Sequence, residues 1–108
     1  MSVKTELFQL AEKMNANPIH IENEKDRVFQ VNLDESGTVQ IILMGGKVEI
    51  VDGAPQEPEV TLSMSDKNFS KLLKDDLNTA VAFMTGGLKI EGSLGLALKL
   101  QEIVKKYK

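Results

Sequence analysis

AFMTGGLKIEGSLGLALKLQ, residues 82–101, decides the fold and poses the functional question. The stretch holds four glycines, then a helix-like run with more leucines than one face can use. Glycines this dense can cradle phosphates, but each phosphate loop has a required spacing. A P-loop places Gly, four residues, Gly, then Lys and Ser or Thr, because the Lys must reach the phosphates. Gly87 and Gly92 have that gap, yet Ser93 and Leu94 stand where Lys and Ser or Thr are needed. The dinucleotide fingerprint needs a glycine two residues before Gly92, and Ile90 is there instead. Both phosphate readings fail on named residues. The glycines read as punctuation: Gly86 stops a helix in the left-handed conformation, LKIE is a short strand, and Gly92-Ser93 lead into a last helix reaching about Tyr107.

On a helical wheel, Leu96, Ala97, Leu100, Ile103, Val104 and Tyr107 fall in one stripe, suited to packing on a sheet. Leu94 and Leu98 fall nearly opposite, and one turn later that side becomes charged with Glu102 and Lys105. Such a helix is buried on two sides in its first turns only. The second cover is either another part of the chain, such as the N-terminal helix or a loop, or a separate molecule. Periodicity leaves both open.

Working outward, Val3, Leu7, Leu10, Ala11 and Met14 recur at helical spacing, ending near Asn15 because Pro18 disfavours helix before it. RVFQVNL and TVQIILM alternate apolar positions (Phe29, Val31, Leu33; Val39, Ile41, Leu43) around the turn Asp34-Glu35-Ser36-Gly37. Gly45-Gly46 turns the chain into KVEIV, completing a three-stranded meander. Residues 54–58 make an exposed loop, and EVTLSM forms a fourth strand with Val60, Leu62 and Met64 on one face. Ser65 caps a short helix bearing Phe69, Leu72 and Leu73. Ala80, Val81, Phe83 and Met84 belong to another short helix, closed at Thr85-Gly86. The expectation is α+β: a mostly antiparallel sheet with helices gathered on one face.

The chain has 108 residues, one domain by size, with 42% hydrophobic and 27% charged residues. A formal charge of -3 argues against nucleic-acid binding, which needs a clustered cationic excess. Absence of cysteine removes disulfides, zinc–thiolate sites and thiol catalysis together. No apolar run approaches the ~18 residues of a membrane span. MSVKTELFQL lacks the apolar block of a signal peptide. A reduced, cytoplasmic setting is therefore expected.

TLSMSDKNFSKLL, residues 61–73, and AFMTGGLKIEGSLGLALKLQ resemble the sterol carrier protein 2 domain family, here a small stand-alone member of bacterial type. In the first, a strand bearing threonine and serine runs into a Ser-Asp helix start. In the second, a small-apolar helix end, Gly, a Leu-Lys-Ile strand, Gly, and a Gly-Leu-Ala-hydrophobe-Lys-Leu helix follow one another. The second half of the chain matches in detail and the first half in element order. The resemblance implies a five-stranded sheet covered by helices on one face, with a hydrophobic tunnel between them for fatty acids, acyl-CoA thioesters, sterols or phospholipids. It gives Leu94 and Leu98 an occupant, a lipid. The implied lining is Phe83, Met84, Leu88, Ile90, Leu94 and Leu98, with Gln101 as a polar contact. Two departures bear on ligand identity. The loop before the penultimate helix, usually glycine-bearing, reads Lys74-Asp75-Asp76-Leu77, and Phe29 is the lone aromatic of the meander.

Other candidates read as structural. His20 lies between Ile19 and Ile21 with no partner legible in sequence, so a surface or structural role is expected. Glu22, Glu24, Asp26, Asp34 and Glu35 fall in turns, where solvation explains them. No calcium loop or metal triad is present, and neither a cofactor nor a catalytic residue is expected. Met44 and Met64 are expected in the core, Met84 as pliable lining. Lys99, Lys105, Lys106 and Lys108 make the C-terminus basic; a solvated helix end is favoured over docking on an anionic membrane surface. The oligomeric state is open between monomer and weak dimer.

A tunnel also has an energetic consequence. Keeping ~300 Å³ empty at ~24 cal/mol per Å³ costs about 7 kcal/mol. That compares with total stabilities of about 5–15 kcal/mol. Such a space is expected to be collapsed, wet or occupied. The expected function is non-catalytic binding and carriage of a lipid; the rival is a protein-interaction or oligomerisation domain using the same patch.

Overall fold

The computed structural model describes residues 2–107. The chain runs α1 (Val3–Ala16), a 3-10 turn (Pro18–His20), β1 (Arg27–Leu33), β2 (Gly37–Met44), β3 (Lys47–Asp52) and β4 (Val60–Met64). It continues through α2 (Asp66–Leu73), α3 (Thr79–Thr85), β5 (Leu88–Gly92) and α4 (Leu94–Lys106). The five strands form one sheet in the order β3-β2-β1-β4-β5. Three neighbouring pairs are antiparallel, and β1 with β4 is parallel. The sheet is thus mixed but mostly antiparallel, as the sequence implies.

Strand parity sorts the side chains. Phe29, Val31, Leu33, Val39, Ile41, Leu43, Val60, Leu62, Met64 and Leu88 are buried in the core shared with the helices. Gln30, Asn32, Thr38, Gln40, Thr61 and Ser63 share the opposite face, as the register shows. That face is held by side-chain hydrogen bonds: Gln40 donates to Gln30 at 3.0 Å, and Thr38 donates to Asn32 at 3.0 Å. The parallel pairing arises because the chain crosses from edge strand β3 to β4, beside β1. The crossing segment passes over Gln40, whose amide donates to the Gln56 carbonyl at 2.7 Å and accepts the Gln56 N–H at 3.2 Å. Gln40 is fully buried with both amide ends satisfied. Met44, expected in the core, is instead 54% exposed. It has the parity of Gln40 and Ile42, facing away from the helices, and it ends β2 at the Gly45-Gly46 turn. Met64 is buried as expected.

Each α-helix starts on a side-chain cap. Ser2, Ser65, Asn78 and Ser93 accept the N–H of Thr5, Asn68, Val81 and Leu96 respectively. Helix α1 buries Val3, Leu7, Ala11 and Met14. It is fastened along β3 at both ends, by a Lys4–Asp52 ion pair of 2.9 Å and by Asn15, which accepts from the Val48 N–H at 2.9 Å and donates to its carbonyl at 2.8 Å.

Helix α2 is fixed by its first residue. One Asp66 carboxylate oxygen accepts the N–H groups of Glu35 (3.1 Å) and Ser36 (3.3 Å), and the other accepts the Ser36 hydroxyl. Burial alone would raise this carboxyl's pKa. The Ser36 hydroxyl, the two N–H groups and the Lys4 charge outweigh it and hold the group below its ordinary value. At the other end, α2 closes with paired bonds from Asp76 N–H to the Lys71 carbonyl (2.8 Å) and Asp75 N–H to the Leu72 carbonyl (3.0 Å). This is the Schellman arrangement, and Asp75 occupies its left-handed position at φ 56°. Glycine is expected there, and its absence is the departure visible in Lys74-Asp75-Asp76-Leu77.

Glycine's freedom is needed most at Gly86 and Gly92. Gly86 ends α3 at φ 85°. Gly92 sits at φ 101° where a Cβ would meet the Glu59 carbonyl oxygen at 2.8 Å, so β5 pairs with β4 only because nothing projects there.

Asp75→Gly should therefore raise stability by about 0.5–1 kcal/mol in urea denaturation, since it removes a left-handed strain at an exposed loop. Asp66→Ala should lower stability by about 2 kcal/mol at pH 7. A carboxyl whose pKa is lowered on folding stabilises above its unfolded value, near 3.9, and loses that contribution as pH falls through the folded value. The gap between wild type and Asp66→Ala in urea midpoint should accordingly shrink below about pH 4.

Candidate functional site

The rotation of α4 is set by its buried stripe. Ala97, Leu100, Ile103 and Val104 are buried, Leu96 is half-buried against the core, and Tyr107 is buried just beyond the helix end. The Tyr107 hydroxyl donates to the Asn17 carbonyl at 2.6 Å and accepts the His20 N–H at 3.2 Å. The His20 ring meets the Tyr107 ring edge-on at 5.2 Å between centroids, a structural role. Lys99 pairs with Glu24 at 2.9 Å, fastening the loop before β1 to α4; neither belongs simply to a solvated surface.

With the stripe inward, Leu94 is 41% and Leu98 39% exposed. The second apolar side foreseen from the wheel is therefore uncovered, and neither α1 nor a loop closes over it. Leu94, Leu98 and Gln101 lie at i, i+4 and i+7 and share a face of the helix.

Helix α3, which packs on β5 and α4, buries fewer residues than α1, α2 or α4. Its buried residues are Thr79 and Ala82. Val81, Phe83 and Met84 are exposed, Met84 by 82%. The expected lining thus separates into three groups. Leu94 and Leu98 stand half-exposed on α4, with Phe83 and Met84 on the adjoining α3. Leu88 is sealed in the core on β5, and Ile90 is half-buried against it. Gln101 is engaged within the chain: its amide donates to the Leu77 carbonyl at 2.7 Å and accepts the Thr79 N–H at 3.3 Å. It ties the α2–α3 connection to α4. Neither that tie nor the burial of Thr79 was legible in sequence, because no spacing rule links residues 77–79 to residue 101.

The space between sheet and helices is closed down. Its enclosed apolar gap, bordered by Leu7, Leu10, Met14, Ile41, Leu73 and Leu100, measures about 10 Å³. The gap lies beneath α1, and neither Leu94 nor Leu98 borders it. At ~24 cal/mol per Å³ so small a void costs only a few tenths of a kcal/mol, whereas an open tunnel would cost several. Collapse is the cheapest of the three expected states for a chain without ligand.

Among the described residues no group of three or more His, Asp or Glu is placed to hold a metal ion. The Asp66 carboxylate is spent on the β1–β2 turn. What the α3–α4 end offers is part-exposed apolar surface next to the hydrogen bonds of Gln101 with Leu77 and Thr79.

Known proteins share this architecture. Hydroxysteroid dehydrogenase-like protein 2 of Xenopus tropicalis is 38% identical over 77 residues, covering 70% of this chain and 18% of that protein. Sterol carrier protein 2 of Homo sapiens is 32% identical over 69 residues, covering 64% of this chain and 13% of that protein. The chain thus spans less than a fifth of the length of these curated relatives. The solution NMR structure of palmitated SCP2L2 from Aedes aegypti matches with a TM-score of 0.69 and 27% identity, covering 96% of this chain and 95% of that one. With residues 6–105 matching the model of the SCP-2 sterol transfer family, and with that family's sheet and one-sided helix layer in place, the chain belongs to the SCP-2 sterol transfer family.

Proposed function

We infer that this protein binds and carries a hydrophobic lipid, such as a long-chain acyl compound or a sterol-like molecule, at the α3–α4 end of the layer between helices and sheet, without chemistry of its own. The observation that carries this is the uncovered apolar side of α4. Leu94 and Leu98 remain part-exposed on α4, and Phe83 and Met84 are exposed on α3, the helix that packs against it. Family membership and the palmitated state of the Aedes aegypti protein support a lipid as the missing cover. A ligand is admitted by lifting α3, which buries least and is tied by Gln101. Leu88 and Ile90, behind the present surface, then become the floor of the site.

The magnitudes suit a carrier. Burying a dozen methylenes yields about 10 kcal/mol gross. Association costs of at least ~4 kcal/mol, with the added cost of opening the layers, leave roughly micromolar affinity or weaker. Such a ligand can be released again. A cytosolic site of action as a monomer or weak dimer, with transient contact with membrane surfaces, completes this reading. No described helix is long and apolar enough to cross a membrane.

Delipidated protein titrated with a fluorescent long-chain fatty acid should bind at roughly micromolar concentration; no binding up to ~100 μM, with no melting shift by any lipid class, would sink the reading. Leu98→Asp should weaken binding at least tenfold while leaving stability within about 0.5 kcal/mol, since its side chain is already part-exposed. Leu100→Ala, in the buried stripe, should cost about 2–5 kcal/mol. A concentration-dependent dimer that Leu98→Asp dissociates, without lipid uptake, would assign the patch to a protein partner instead.

A further inference from the structure

Thr79 is the first residue of α3, and its side chain is wholly buried. Its backbone N–H donates to the Gln101 side chain, but among the described residues no hydrogen-bond partner reaches its Oγ1. A buried hydroxyl without a partner is unfavourable and uncommon in native proteins. Valine would occupy the same volume without that penalty. The position of the hydroxyl is informative. The row Leu94, Leu98, Gln101 runs along α4 from the uncovered apolar end to the point where Gln101 grips Leu77 and Thr79. Thr79 therefore lies at the closed inner end of the same α3–α4 seam.

We propose that the Thr79 hydroxyl is the polar recognition point of the lipid site, selecting amphiphiles whose polar end is uncharged. This rests on the lipid-binding reading above and adds a head-group class to it. Charge decides that class. The connection into α3 carries Asp75 and Asp76 beside Lys74, whose exposed ammonium is paired with Glu6 at 3.3 Å, and Glu102 follows Gln101 on α4. The cation nearest in the helix, Lys99, is paired with Glu24 at 2.9 Å, and Lys105, next in the row, is exposed. A carboxylate drawn in to Thr79 would be buried without a counter-charge, which is strongly unfavourable. An alcohol, ketone or ester meets no such penalty. It can exchange a hydrogen bond with Thr79 and, once the grip on Leu77 loosens, with the Gln101 amide. The tail then lies along Leu98 and Leu94.

The test compares 1-dodecanol with dodecanoate by calorimetric titration at pH 8, on wild type, Thr79→Val and Thr79→Ser, with the melting temperature of each ligand-free protein. Wild type should bind dodecanol more tightly than dodecanoate. Thr79→Val should weaken dodecanol about 3–10-fold, the worth of one neutral hydrogen bond, with dodecanoate unchanged. It should also raise the melting temperature of the ligand-free protein by several degrees, because an unsatisfied group has been removed. Thr79→Ser should keep the preference for the alcohol. Equal or reversed preference in wild type overturns the proposal. So does a lower melting temperature for Thr79→Val with dodecanol affinity intact, which would make the hydroxyl a structural group bonded to ordered water. Failure of wild type to bind either amphiphile overturns the lipid reading itself, and this proposal with it.

Discussion

The contact of Ala97, Leu100, Ile103 and Val104 with the sheet is the interaction on which the rest depends. Burying that stripe fixes how α4 is turned, and a helix has no freedom to bury one stripe while hiding the opposite one. Leu94 and Leu98 are consequently thrown outward at the start of the helix, where α3 is too short and too lightly packed to roof them. The C-terminal end of α4 is secured by Tyr107 on Asn17 and His20, so the helix cannot roll to relieve the exposure. Apolar surface at this end of the molecule follows from good packing elsewhere.

Polar fastenings are distributed unevenly over the helical layer. Asn15 and Lys4 lock α1 to β3, and Asp66 locks α2 to the β1–β2 turn. Helix α3 relies on its Asn78 cap and on the Gln101 bridge to the connection before it. The bridge is neutral, and net contributions of such bonds are about 1 kcal/mol each. Regions that open for ligands come from the low-stability end of a structure, and α3, with two buried residues, is the helix proposed above to move. On the proposed reading, a layer that opens at α3 reconciles a void of only about 10 Å³ with membership of the SCP-2 sterol transfer family.

The strained and unsatisfied positions cluster near this helix. Asp75 holds a left-handed conformation that glycine would hold more easily, and Thr79 buries a hydroxyl that valine would not. Asp75 lies in the connection into α3, and Thr79 is the first residue of that helix. Sites that trade stability for function concentrate such features.

Sequence alone determined the elements and their inner faces. Alternation at Phe29, Val31 and Leu33, the 3.6-residue stripe of α4, the Ser65 cap and the Gly86 stop are local patterns, dictated by backbone geometry within a few residues. The two-sidedness of α4 was equally legible, because it is a property of the helix itself. The parallel β1–β4 pairing, the exposure of Met44, the burial of Gln40 beneath Gln56 and the engagement of Gln101 by Leu77 and Thr79 were decided only by the tertiary structure. Each depends on which distant segments meet, and hydrogen bonds between residues 16 to 24 positions apart leave no periodic trace in the chain.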